Sequence, residues 1–339
     1  MVNQDKRPPL VLVTGATGAV GPRVVKVLRD AGYRLRTFSL DSPEADLWSS
    51  DIENRVGDIT DEEAVQSAVR GVDAVVHLAA LLHIVNPPSD LQDKYEKINI
   101  GGTAAVVEAA LRAGVKRILY FSTITVYGDS RGRVLNEETP ANPNTFYEKT
   151  KMEAERIVLD AKQLSGAPGG TVLRLGAVYG PRIKGNYERL TQALARHRFF
   201  PIGDGLNRRT LIYDKDVASA ALLAVSHPAA AGRAFNVTDG AFHTLNEIIE
   251  SICTALGRRP PRLSFPSGMA RSMASAVERG FRLFGLKAPL TPEMVDKYTE
   301  DIAVDGRLIQ KELGFVPQYD LQTGWNETIS EMRCNGHLQ

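Results

Sequence analysis

The run Leu10-Val-Leu-Val-Thr-Gly-Ala-Thr-Gly-Ala-Val-Gly-Pro-Arg-Val-Val25 passes from apolar residues, through three glycines, into a helical pattern. Leu10 to Val13 read as a buried strand. Gly15, Gly18 and Gly21 form a turn, and Val24, Val25, Val27 and Leu28 carry the apolar side of a helix. Strand, glycine turn and helix is how a dinucleotide-binding βαβ unit begins. One glycine lets the chain reverse sharply, one lets the backbone approach a pyrophosphate, and one lets helix and strand pack closely. Free N–H groups and the positive end of the helix dipole would hold the phosphates. Gly15, Thr17, Gly18, Ala19, Val20 and Gly21 are therefore candidate cofactor contacts. A turn that binds nothing satisfies the same spacing, so the reading depends on a catalytic set downstream.

The chain has 339 residues, and a prior of about 150 residues per domain suggests two domains. Hydrophobic content of 43% and charged content of 24% are those of an ordinary globular protein. A formal net charge of +1 implies no general attraction to nucleic acid. Cys253 and Cys334 are far apart and build neither a disulfide framework nor a CxxC site. No metal is expected, and the cysteine usage suits a reducing, cytoplasmic location. Residues 1–9 lack the apolar core of a signal peptide. No run of about 18 apolar residues is present, so no bilayer span is expected.

Outward from the glycine turn, Arg34 to Leu40 read as a second strand and Val56 to Ile59 as a third. Glu62 to Val69 follow as a helix. Asp73 to Ala80 form a buried strand, and its end at Leu78, Ala79 and Ala80 would let a ribose lie against the backbone. His77, inside that apolar strand, reads as a satisfied core histidine. Residues 84–93 form a loop, and Lys94 to Ala113 a helix. Arg117 to Phe121 make a fifth strand running into Ser122 and Thr123. Tyr147-Glu-Lys-Thr-Lys151 then starts a helix that continues through Val158. Tyr147 and Lys151 are four apart and share one helix face. An ammonium near a phenol favours the phenolate, so Lys151 is expected to draw Tyr147 below its reference pKa of about 10. With a strand-end hydroxyl to orient the substrate oxygen, the set forms a general acid/base.

Gly-x-x-Gly-x-x-Gly after Thr14, followed downstream by a Ser-Thr strand end and Tyr-x-x-x-Lys, resembles the extended branch of the short-chain dehydrogenase/reductase superfamily. Within it the chain is most similar to the NAD-dependent epimerase/dehydratase family, nearest to 4-epimerases and 4-ketoreductases of nucleotide-linked sugars. The resemblance implies an α/β fold: a Rossmann-like doubly wound parallel sheet with a smaller C-terminal α+β substrate domain. It implies a catalytic set of Thr123, Tyr147 and Lys151, with Ser122 as the fallback hydroxyl one residue away. Tyr147 and Lys151 also touch the cofactor, and Ser122, Thr123 and Tyr147 the substrate. Asn99 stands where relatives position a water or the catalytic lysine, although a cap or kink at Gly101-Gly102 explains it equally. Asp58, with Ile59, falls at the position that bonds the adenine edge. Its structural alternative is the capping region of the following helix, which Thr60 or Asp61 could serve instead. Ser39 stands where NAD enzymes carry a ribose-binding acid. A serine there, helped by Arg36 or Arg34, suits a 2′-phosphate, so the cofactor is NAD or NADP, with NAD favoured for an epimerase.

Thr171 to Gly176 read as a sixth strand, and Ala177-Val-Tyr-Gly-Pro-Arg182 resembles the junction where extended members leave the cofactor domain. Thr210 to Tyr213, the helix Asp214 to Ser226 and the strand Ala234 to Val237 read as a return to it. The expected domains are 1–178 plus 209–240 for the dinucleotide and 179–208 plus 241–339 for the substrate. The family likeness gives Arg209 a grip on a substrate pyrophosphate and places Asn186 in a sugar pocket. Leu245 to Leu256 read as an amphipathic helix, and Gly314-Phe-Val-Pro317 with Leu321 to Ile329 as the closing helix of a sugar-nucleotide epimerase. Ser267 to Leu286 sets Met269, Met273, Val277, Phe281 and Phe284 on one stripe. Core packing is the favoured reading of that stripe, and a helix lying on a membrane surface the other.

The expected activity is epimerisation at C4 of a nucleotide-linked or polyprenyl-diphosphate-linked sugar, most simply a UDP-sugar, through a keto intermediate. Ile124 and Thr125 stand where a dehydratase would carry Asp-Glu. The alternatives are an NADPH-dependent reductase of a 4-keto sugar or a steroid, and a cofactor-binding regulator without turnover. The resemblance also implies a homodimer formed through 94–113 and 147–164.

Overall fold

In the computed structural model, which describes residues 7–44, 47–82, 91–286, 288 and 291–338, strands and helices alternate through the first two thirds of the chain. The order is β1 (Leu10–Thr14), α1 (Gly21–Asp30), β2 (Arg34–Ser39), β3 (Glu53–Val56), α2 (Glu62–Val69), β4 (Ala74–His77) and α3 (Leu91–Tyr95). A π-helical turn (Glu96–Gly101) leads into α4 (Gly102–Arg112), then β5 (Arg117–Thr123), α5 (Phe146–Leu159), β6 (Gly170–Leu175), β7 (Ala177–Tyr179) and α6 (Asn186–Ala195). There follow β8 (Arg208–Arg209), β9 (Leu211–Tyr213), α7 (Asp214–Ser226), β10 (Arg233–Val237) and β11 (His243–Thr244). The chain closes with α8 (Leu245–Leu256), α9 (Ser267–Leu283), α10 (Pro292–Thr299), α11 (Arg307–Leu313) and α12 (Leu321–Cys334).

Among the described residues, seven strands form one parallel sheet in the order β3-β2-β1-β4-β5-β6-β10. The period-two alternation of a strand buries both of its faces here. Val11 and Val13 join a core with Val24, Val25 and Leu28 of α1 and with α7. Leu10 and Leu12 face the opposite core, built by α2, α4 and α5. The order reverses between β1 and β4, and a doubly wound sheet binds ligands at the carboxyl ends of the strands at such a switch point. Those ends carry Gly15 and Leu78–Ala80.

A third core holds Tyr179, Tyr213, Ile248, Ile252, Trp325 and Ile329, so α8 and α12 pack together beyond the sheet. Arg23 of α1 ties this region back, pairing with Asp214 at 3.3 Å and Glu331 at 2.7 Å.

Several expected boundaries move. The third strand lies at Glu53–Val56, upstream of Val56–Ile59. It is an edge strand with polar, water-facing residues, so apolar content did not reveal it. The second strand stops at Ser39, before Leu40. Of the loop expected at 84–93, Leu91 to Asp93 are helical, and 84–90 lie outside the described residues. β9 pairs with β7 in a separate two-stranded ladder, whereas β10 joins the main sheet beside β6. The apolar stripe on α9 is not buried core, although Val277 is half-buried and Phe281 is 37% exposed. Met269, Met273 and Phe284 are 53%, 56% and 80% exposed, and the residues of the helix that are buried are Ala270 and Ala274. The small alanines allow α10 to approach through Val295, and the larger side chains are left outside.

Candidate active site

The glycine turn shows why each glycine is there. Gly15 has φ +67°, and a Cβ on it would lie 2.7 Å from the Ala79 nitrogen, so the turn is pressed against the end of β4. At Gly21 a Cβ would lie 2.1 Å from the Ala16 carbonyl oxygen, which seats α1 on the loop. Gly18 is less crowded, its nearest neighbour being the Gly15 carbonyl oxygen at 3.0 Å. α1 begins with no side-chain cap at Val20 and no acidic residue in its first turn. An uncapped helix start behind a glycine turn presents N–H donors and a positive dipole end, which fits the diphosphate of a dinucleotide. Thr17 donates its backbone N–H to the Ser39 hydroxyl at 3.3 Å, while Ala19 completes the turn.

Around the adenosine side, Ser39 is buried and Asp41 exposed. Arg36 is turned away from both, bonding Glu53 at 2.7 Å and the Ala68 and Arg70 carbonyls at 2.8 and 2.7 Å. Asp58 is exposed, its carboxylate accepting the Thr60 N–H at 2.8 Å. Asp61, not Thr60, caps α2. Ile59 is buried against Gly102, whose added Cβ would lie 2.8 Å from it. Leu78, Ala79 and Ala80 are half-buried, the first two bonded through their N–H groups to the Thr14 carbonyl and hydroxyl.

α5 starts at a capping box in which Thr145 and Glu148 satisfy each other's backbone. That cap sets the register of Tyr147 and Lys151 on a helix packed against β5 and β6. Lys151 is buried. Its ammonium donates to the Phe121 carbonyl at 2.6 Å and lies 4.2 Å from the centre of the Tyr120 ring. Burial pushes it down to about 7, while Glu155, one turn along, pulls the other way. The expected lowering of Tyr147 is reversed: burial raises the phenol above its ordinary value, with Tyr95 and Glu148 adding to it. The physical reason is that desolvation disfavours a phenolate, and the ammonium is held by a carbonyl and a ring face. At the end of β5, Thr123 is half-buried and its hydroxyl accepts the Thr125 N–H at 3.2 Å. Ser122, one residue earlier, is buried, and its hydroxyl has no hydrogen-bond partner among the described residues.

His77 is held between the Thr14 hydroxyl at 2.7 Å and the Thr103 hydroxyl at 3.0 Å, and burial drives its pKa down to about 3. It is a neutral core residue. Asn99, in the π-helical turn, bonds both backbone groups of Leu81 and the Thr150 hydroxyl, and so pins the loop after β4 to α5. In the substrate region Arg209 donates to the Lys297 and Tyr298 carbonyls at 2.8 and 2.9 Å. Its neighbour Arg208 is paired with Asp301. Asn186 is exposed at the start of α6, accepting from Arg189.

Sequence reading missed three contributors. Tyr120 offers its ring to Lys151. Tyr95 sets its ring edge against Tyr147, with centroids 6.1 Å apart. Glu155 pairs with Arg174 at 2.7 Å behind Lys151. The i to i+4 step from Lys151 to Glu155 was a usable signal, whereas the two tyrosines come from distant elements. Among the described residues, no cluster of His, Cys, Asp or Glu could hold a metal ion, and no helix is long and apolar enough to cross a membrane.

Residues 11–238 match the NAD dependent epimerase/dehydratase family. The chain is 25% identical to the N-acetyl-alpha-D-glucosaminyl-diphospho-ditrans,octacis-undecaprenol 4-epimerase of Escherichia coli O157:H7, covering 94% of each. It is 27% identical to a 3 beta-hydroxysteroid dehydrogenase/Delta 5-->4-isomerase of Mycobacterium tuberculosis, over 94% of this chain and 89% of that one. Among solved structures, MoeE5 in complex with UDP-glucose and NAD superposes with a TM-score of 0.75 at 26% identity, covering 96% of this chain and 99% of that one. With its parallel sheet, glycine turn and Tyr-x-x-x-Lys helix, this chain belongs to the NAD-dependent epimerase/dehydratase family of extended short-chain dehydrogenase/reductase enzymes.

Proposed function

We propose that the protein epimerises C4 of a sugar carried on a diphosphate, nucleotide or polyprenyl, through a transient 4-keto sugar. The observation that carries this is α5, which bears Tyr147 one turn before the buried Lys151, whose ammonium reaches β5 at Phe121, two residues before Thr123. Tyr147 takes the proton from the sugar O4 hydroxyl and later returns it. Thr123 bonds the same oxygen and keeps it in line with the phenol. Lys151 gives one N–H to Phe121 and has two more donors for the phenolate and for the ribose hydroxyls of the cofactor. NAD, when bound, supplies a hydride acceptor and then a donor. Rotation of the keto sugar between the two half-reactions inverts C4 with no net redox change. Arg209 has remaining N–H groups for the diphosphate, since a guanidinium presents five donors, and Asn186 stands at the start of α6 to meet the sugar.

NAD is the cofactor this site suits. Arg36 is occupied by Glu53, Arg34 lies five residues before Ser39, about 16 Å along the strand, and Asp41 adds negative charge beside the position. The reaction is tested by incubating the protein with NAD and a panel of UDP-, dTDP- and GDP-sugars and a polyprenyl-diphosphate sugar. New C4 isomers with no accumulated NADH support it. Tyr147→Phe should lower turnover about 10²- to 10⁴-fold, and full activity in that variant would end the acid/base assignment. A second reading, reduction of a 4-keto sugar or a steroid, is favoured by Ser39 in place of an acid and by the steroid dehydrogenase relative. Stoichiometric NADPH consumption with no isomer formed would select it.

A further inference from the structure

Helix α9 has an apolar side that no described residue covers. At about 100° per residue, Met269, Met273, Leu283 and Phe284 fall within an arc of about 100°. Leu283 and Phe284 are 85% and 80% exposed, and Leu286, just past the helix, is 62% exposed. Arg279 flanks that arc and is exposed, whereas Arg271 and Arg282 lie on the far side of the helix, where Arg282 pairs with Glu278 at 3.3 Å. The surrounding stretch 257–287 holds seven basic residues against one acid, Glu278, in a chain whose net charge is only +1. Concentrated positive charge beside exposed Met, Leu and Phe is the composition of an interfacial helix. A second copy of the chain meets this face poorly, because a two-fold contact would set the basic stretch against itself.

The helix is also mechanically joined to the candidate site. α10 packs on α9 through Val295 against Ala270 and Ala274, and Arg271 pairs with Asp296 at 2.9 Å. The last carbonyls of α10, on Lys297 and Tyr298, hold Arg209. The Lys297 ammonium lies 3.6 Å from Glu148, the residue after Tyr147. α9 is therefore linked through α10 to Arg209 and to the start of α5.

We infer that α9 docks on an anionic bilayer, its apolar arc among the lipid headgroups and acyl chains and Arg279, at the edge of that arc, on the lipid phosphates. Taken with the proposed C4 chemistry, on which this one consequence rests, docking assigns the sugar's diphosphate to a polyprenyl carrier embedded in that bilayer. The test is flotation of the full chain, without cofactor or sugar, on vesicles of phosphatidylcholine with or without phosphatidylglycerol. The protein should float with phosphatidylglycerol vesicles, and Arg279→Gln should weaken binding about fivefold. The pair Met273→Ser and Phe284→Ser should abolish flotation while NAD affinity and melting temperature stay unchanged. Failure to float on the anionic vesicles overturns docking, as does equal flotation of the double variant. A concentration-dependent dimer that the double variant loses would show a second copy on this face and overturn it too. Loss of NAD affinity together with flotation would make α9 a packing element, which likewise overturns docking. Because flotation needs no reaction, its failure leaves the C4 chemistry standing with a nucleotide carrier, and a failed epimerase assay leaves docking standing.

Discussion

Helices α1 and α9 are written in the same amphipathic pattern and meet opposite fates. On α1, Val24, Val25 and Leu28 are at most 1% exposed, packed under β1 and against α7. On α9 the equivalent stripe is open and only two alanines are covered. Periodicity states which side chains share a face. It does not state what lies opposite, because that element comes from elsewhere in the chain or from outside it. The same holds for buried polar groups. His77 found two threonine hydroxyls from β1 and α4 and became inert, whereas the Ser122 hydroxyl on the adjoining strand found no partner among the described residues.

The contrast between the two regions can be broken by mutation. The largest effect should come from the glycine turn. Gly15→Ala forces a side chain into a left-handed conformation and onto the Ala79 backbone, so unfolding free energy should drop by about 4 kcal/mol with loss of NAD binding. A melting curve like that of the wild type would show that the turn is not pressed on β4. Next, Leu28→Ala empties a fully buried site and should cost about 3 kcal/mol in urea titration.

His77 offers a pH test. Its folded pKa of about 3 lies below the unfolded value of about 6.5. Between those limits the unfolded chain binds more protons, so its share of stability is present above pH 6.5 and is lost as pH falls towards 3. The slope is at most about 1.4 kcal/mol per pH unit. His77→Gln should remove that share from the acid limb of the stability profile, and an unaltered limb would mean the ring is not held neutral. The smallest effect belongs to α9: Met273→Ala should move stability by no more than about 0.5 kcal/mol. A loss close to that of Leu28→Ala would mean that something covers the helix.

The first strand, the glycine turn, α5 and α8 were legible because each depends on neighbours a few residues away. Glycine spacing, a Tyr-Lys step of four and an amphipathic period are local statements. β3 was displaced because an edge strand has too few apolar residues to stand out. Arg209 reads from sequence as facing a pyrophosphate, and two of its N–H bonds go to the end of α10, some ninety residues on in the chain. Lys151 sits on its helix as the spacing predicts, yet its ammonium is directed by Phe121 and Tyr120, thirty residues earlier.

Taken alone, the sequence determined the alternation of strands and helices in the first half of the chain, the need for glycine at the turn, and the phenol and amine one turn apart. Those follow from backbone sterics and helix geometry within short windows. Only the tertiary structure decided that burial lifts the Tyr147 pKa, that β9 leaves the main sheet for β7, and that the stripe on α9 faces outward. Desolvation, strand pairing and coverage are set by residues distant in the chain, and no local pattern records which of them will arrive.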